Sequence, residues 1–164
     1  MMIREARIIL VIGGRGSGKT YLLENRLQPK DTIVVEYMKT PRWSGYKKIF
    51  FNELISGKVS EKALCNSQVV FEDATSYISS NMSNYLRRLI VNSKQMGSDV
   101  YLIFHSINVV PTFLWYLWNN IILFKCAKPR ETALNADYFS EIMQKWNKCM
   151  KGKQYHYEEI ISQL

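Results

Sequence analysis

The 164-residue sequence predicts a three-layer α/β sandwich with a mainly parallel central sheet, folded as a single domain over residues 1–164. Two observations carry this reading. Short, β-branched apolar runs alternate with stretches of helical period, the pattern of strand–helix units that cover both faces of a parallel sheet. The first run, "RIILVI" (Arg7–Ile12), passes through a glycine-rich turn into "YLLENRL", where a helix begins. A chain of this length can bury one sizeable core, and no second substrate domain is expected.

The turn between that strand and helix is the most specific feature. Gly13, Gly18, Lys19 and Thr20 spell G-x-x-x-x-G-K-T. Backbone N–H groups can converge on phosphate oxygens only where no Cβ intervenes, which explains the glycines. Gly13, Gly14, Arg15, Gly16, Ser17, Gly18, Lys19 and Thr20 are therefore assigned to nucleotide binding. Lys19 would reach the β- and γ-phosphates of ATP, and the Thr20 hydroxyl would ligate Mg²⁺. The helix that follows aims its N-terminus at the same place. This is a P-loop.

Further along, "DTIVVEY" (Asp31–Tyr37) reads as a second strand. The segment "KTPRWSGYKK" follows, marked as a loop by Pro41 and Gly45. It interleaves Lys39, Arg42, Lys47 and Lys48 with Trp43 and Tyr46. Two readings stay open: a nucleic-acid contact through charge and stacking, or a solvated loop whose aromatics pack on the sheet edge. "KKIFF" (Lys47–Phe51) is either a short third strand or the lead into a helix at "NELISGK".

The next strand, Gln68–Phe71, ends in Glu72 and Asp73. Adjacent carboxylates at the end of a buried strand are costly without a cation or donors nearby. In P-loop enzymes one acid at such a strand end holds Mg²⁺ through water, and a second, where present, polarises the attacking water. The distance from Thr20 to Glu72 admits the two intervening runs, as in P-loop NTPases of the additional-strand type. "SNYLRRLIVNSKQMG" predicts a helix stopped by Gly97, with Leu86, Leu89, Ile90 and Met96 inward. "DVYLIFHS" is another buried strand. If the acid strand lies beside the P-loop strand, its tip residue, His105 or Ser106, would sense the γ-phosphate or position water. Pro111 opens a short aromatic helix, "TFLWYLW", and "NIILFKC" is a last strand. A helix over "DYFSEIMQKWNKCMKG" puts Phe139, Ile142 or Met143, Trp146 and Met150 on one face. Trp115, Trp118 and Trp146 are assigned to the core. Residues 153–164 are left open between a final strand and a subunit contact.

Composition narrows the function class. Hydrophobic residues make up 47% of the chain and aromatics 13%, which excludes a disordered protein. No apolar run approaches the ~18 residues of a membrane span, and the start does not read as a signal peptide. Cys65, Cys126 and Cys149 are scattered without metal-ligand spacing, and a cytoplasmic location is expected. The net charge of +8 is concentrated early: residues 1–50 hold ten Lys/Arg against four Asp/Glu. That imbalance suits a polyanionic partner.

P-loop, acidic strand end, a helix ending in "KQMGSD" and a strand with a polar tip together resemble the FtsK–HerA branch of ring-forming P-loop ATPases. Over roughly residues 7–126 the chain looks most like small viral genome-packaging ATPases, with Zot-like phage assembly ATPases next. The resemblance implies ATP hydrolysis coupled to DNA translocation, a pentameric or hexameric ring, contact with double-stranded DNA, and docking on a capsid, portal or vertex protein. It implies host cytoplasm for a viral protein. It assigns Glu72 to Mg²⁺ and Asp73 to catalysis, although the family usually runs Asp then Glu and carries Gln at the strand tip. It also implies an arginine acting across the subunit interface, for which Arg87, Arg88 and Arg130 are candidates and Arg88 is preferred. A small-molecule or nucleoside kinase is the alternative, with "KCAKPRET" as its only lid candidate. A third is an ATP-gated adaptor that does not hydrolyse.

Overall fold

The apolar runs become strands β1 (Ile8–Ile12), β2 (Thr32–Glu36), β3 (Lys47–Phe50), β4 (Gln68–Phe71), β5 (Asp99–Phe104), β6 (Asn120–Phe124) and β7 (Tyr157–Ile161). Helices α1 (Lys19–Arg26), α2 (Phe51–Ile55), α3 (Ser80–Met96) and α4 (Ala136–Lys151) connect or cover them. This computed structural model describes residues 5–77, 80–131 and 136–162. The strands form one sheet in the order β3-β2-β4-β5-β1-β6-β7. All neighbours are parallel except β6 and β7, which pair antiparallel. The open C-terminal segment thus resolves in part into an edge strand.

Strand β1 shows why both faces are buried. Ile8, Leu10 and Ile12 point into one apolar cluster with Leu54 of α2, Leu86, Leu89 and Ile90 of α3, and Ile142 of α4. Ile9 and Val11 point the other way, onto Leu23, Leu27 and Trp43. Alternate side chains leave opposite faces of a strand, so a run that is apolar throughout must be covered twice. One covering layer holds three helices; the other is α1 with the β2–β3 loop. The result is the expected three-layer sandwich, with one thin layer.

Several expectations need correction. One strand does lie between the P-loop strand and the acid strand, as the additional-strand type expects, but it is β5 and not the two runs that intervene in sequence, which sit outside β4 as β2 and β3. The acid strand is therefore not beside β1, and the tip of β5 stands between the two. The short aromatic helix after Pro111 forms, as a 3-10 helix over Thr112–Tyr116. In α4, Ile142 is buried and Trp146 packs on the core as expected, but Met150 is 45% exposed and its neighbour Cys149 takes the inner position. Trp115 and Trp118 are in the core, and Trp146 is partly buried against it.

Candidate active site

The C-terminal ends of β1, β4 and β5 open on one cleft of about 760 Å³. That volume lies within the range of small-molecule and cofactor pockets. Its lining includes the P-loop from Arg15 to Thr20, then Glu72, Asp73 and His105, with Thr40, Arg42 and Tyr155 on the rim. The loop is built as its sequence requires. A Cβ at Gly13 would lie 2.6 Å from both Phe124 Cβ and Ser17 Oγ, so only glycine passes there. Gly18 adopts φ 99° and caps α1 with its backbone alone. No side chain of the cap then competes for the first N–H groups of the helix. Gly14 N donates to Lys125 O at 2.7 Å, fixing the loop to the end of β6.

Lys19 is buried, and its Nζ donates to Gly13 O at 2.6 Å and Gly14 O at 2.7 Å. Burial lowers its pKa to about 8, against the opposing pull of Glu72. The hydroxyl of Thr20 donates to Glu72 Oε1 at 3.2 Å, and Trp43 Nε1 donates to Glu72 Oε2 at 2.7 Å. Burial pushes the Glu72 carboxyl upward, while the Trp43 and Thr20 bonds draw it back. Thr20 and Glu72 fit Mg²⁺: they offer a hydroxyl and one carboxylate, hard oxygen donors facing each other. Among the described residues no group of three or more His, Cys, Asp or Glu could hold a metal. A cation here would take its remaining ligands from phosphates and water, as Mg²⁺ does.

Asp73 turns the chain in the left-handed region, φ 53°. Its Oδ2 accepts from Ser76 Oγ at 2.7 Å, and Oδ1 lies 3.1 Å from His105 Nε2. Burial lowers the His105 pKa, with Asp73 acting against it. His105 Nδ1 and Ser17 Oγ are buried without hydrogen-bond partners. Of the two tip residues, His105 lines the cleft; Ser106 instead caps the turn after β5, accepting from Asn108 N at 3.2 Å.

The basic loop divides. Trp43 is 0% exposed and cannot stack on a nucleic-acid base; it packs under α1, as the second reading of the loop had it. Lys48 is held by Glu36, 3.1 Å away, and by the carbonyls of Thr40 and Arg42. Lys39 and Lys47 are exposed, and Arg42 lies on the cleft rim, 3.9 Å from Glu24. Arg87 stacks over Phe113, and Arg88 pairs with Glu61 at 3.1 Å, both outside the cleft lining. Arg130 is exposed, its N–H bound to Asn108 Oδ1 at 2.9 Å. Sequence reasoning missed Tyr155 and Thr40. Neither belongs to a motif; only the fold carries them to the P-loop.

No protein family and no curated protein matches the sequence at a significant level. Solved structures do match the fold. The DNA-packaging ATPase B204 of Sulfolobus turreted icosahedral virus superposes with a TM-score of 0.70 at 16% identity, over 96% of this chain and 93% of that one. The chain has the fold of B204. The genome-packaging NTPase B204 of Sulfolobus turreted icosahedral virus 2, in complex with ATP-γS, gives 0.66 at 16% identity over 98% and 93%. The N-terminal domain of zonular occludens toxin from Neisseria meningitidis gives 0.51 at 14% identity over 98% and 95%. The two resemblances drawn from sequence are thus both recovered as likenesses of fold, with B204 the stronger.

Proposed function

We propose that the chain is an Mg²⁺-dependent ATPase that drives DNA into a viral capsid, working as a ring of identical subunits in the host cytoplasm. The observation that carries this is the convergence of a P-loop, a Thr20–Glu72 pair and an Asp73–His105 pair on one cleft, in a fold shared almost end to end with B204. Arg15 to Thr20 bind the phosphates, and Lys19 leaves its loop carbonyls for the β- and γ-oxygens. Thr20 and Glu72 hold Mg²⁺, which when bound neutralises charge on the transferring phosphoryl group. Asp73 takes the proton of the attacking water, and His105 beside it fixes the carboxylate's direction. Lys39 and Lys47 remain as free cations for the DNA backbone, with a capsid or portal protein as the docking partner. An arginine of a neighbouring subunit, Arg88 first, completes the phosphate site.

Asp73→Asn tests the catalytic assignment. General-base catalysis contributes about 10²–10⁴-fold, so turnover should drop by that order while ATP binding persists. Near-normal turnover would move the role to Glu72. Against the kinase reading, Lys128 O and the Arg130 N–H of "KCAKPRET" are bonded to the Asn108 side chain, and none of residues 126–131 lines the cleft.

A further inference from the structure

The β2–β3 loop is connected to the nucleotide cleft through one side chain. Trp43 has φ 63°, a left-handed backbone that bulky residues rarely adopt, and its ring is 0% exposed. Such geometry persists only where the surroundings over-determine it. Here they do. The Trp43 N–H donates to Glu24 Oε1 at 2.6 Å, and the indole Nε1 donates to Glu72 Oε2 at 2.7 Å. The ring meets Tyr46 edge-on, 5.1 Å between centroids, and Tyr46 Oη lies 2.8 and 2.9 Å from the carbonyls of Glu24 and Leu27. Trp43 is thus fastened to α1, the helix that starts at Lys19 and Thr20, and to the acid that faces Thr20.

We propose that Trp43 is a positioning residue: its indole N–H fixes the Glu72 carboxylate so that Oε1 faces Thr20, and so couples the Thr20–Glu72 cation seat to the conformation of the 37–46 loop. A carboxylate at a strand end can rotate, and with Oε1 turned to Thr20 the other oxygen needs its own donor. A phenylalanine would fill the same space; only the indole supplies the bond. This rests on the reading of Thr20 and Glu72 as the Mg²⁺ seat.

The test titrates Mg²⁺ into protein bound to a non-hydrolysable ATP analogue, comparing wild type with Trp43→Phe. The variant should bind the analogue in EDTA within twofold of wild type. It should need about tenfold more Mg²⁺ for half-effect. The Mg²⁺-dependent change in tryptophan emission should vanish although Trp115, Trp118 and Trp146 remain. An unchanged Mg²⁺ midpoint, or an equal loss of affinity with and without Mg²⁺, overturns the proposal. If Trp43→Phe does not fold, wild type labelled with 5-fluorotryptophan replaces it. One of its four ¹⁹F resonances should then move on Mg²⁺ addition, and no movement overturns the coupling. A wild type whose analogue affinity ignores Mg²⁺ refutes the seat itself, a separate result from failure of Trp43.

Discussion

Lys19 shows how a single residue's environment sets a measurable pH dependence. Burial favours its neutral form and brings its pKa down to about 8, whereas phosphate oxygens favour the ammonium. Nucleotide binding must therefore raise that pKa and take up a proton wherever free Lys19 is deprotonated. Affinity should be insensitive to this group well below pH 8 and should fall as pH rises above it, by at most about tenfold per unit. Calorimetry at pH 8.5 in buffers of different ionisation enthalpy should read a substantial fraction of a proton taken up, and zero uptake would contradict the assignment. Tyr155 makes a second case. It is 59% exposed with φ 68°, and its Cδ1 lies 3.0 Å from where a Gly18 Cβ would be. Base stacking on an aromatic contributes about 1–3 kcal/mol, and left-handed backbone at a non-glycine residue costs on the order of 1 kcal/mol or more. Tyr155→Gly should therefore weaken ATP binding about fivefold or more while raising Tm by about 2–4 °C. Nucleotide titration and thermal melts check the two halves, and undiminished affinity would mean that Tyr155 does not stack on the base.

The elements differ in how far their sequence determined them. β1, β4 and β5 could be located because a strand buried on both faces is an unbroken apolar run, and Gln68–Phe71 is where the acids then fall. The P-loop was legible because its glycines answer to local backbone geometry. The order of strands was not, since placing β5 between β1 and β4 depends on long-range pairing that local pattern does not encode. The β2–β3 loop was half legible. Its aromatics and lysines could be seen, but whether Trp43 faces water or a carboxylate depends on β4, 25 or more residues away in sequence. In α4 the period was clear while its last inner position was not, because Cys149 and Met150 are both apolar neighbours. The corrected position predicts that Ile142→Ala costs about 2–5 kcal/mol, whereas Met150→Gln stays within about 0.5 kcal/mol. Denaturant unfolding distinguishes them, and a large loss from Met150→Gln would put Met150 on the inner face.

At the scale of the molecule, the sheet gathers the P-loop, the paired acids and His105 at one end; Lys39 is exposed in the loop after β2, and Lys47 is exposed at the start of the edge strand β3, level with Ile33 at the other end of the sheet. Among the described residues no helix is long and apolar enough to cross a membrane. In the proposed function, the net charge of +8 and the exposed lysines serve contact with a polyanion. Phosphate contacts of that kind release counterions, so the coupling weakens as salt rises. The most direct measurement is the steady-state Mg²⁺-dependent ATPase rate with and without long double-stranded DNA, at low and at moderate salt. The account predicts stimulation by DNA that fades with salt and is reduced in a Lys39→Ala, Lys47→Ala double variant. Hydrolysis indifferent to DNA at both salt concentrations, or absent until a small phosphate acceptor is added, would contradict a DNA motor and favour a kinase.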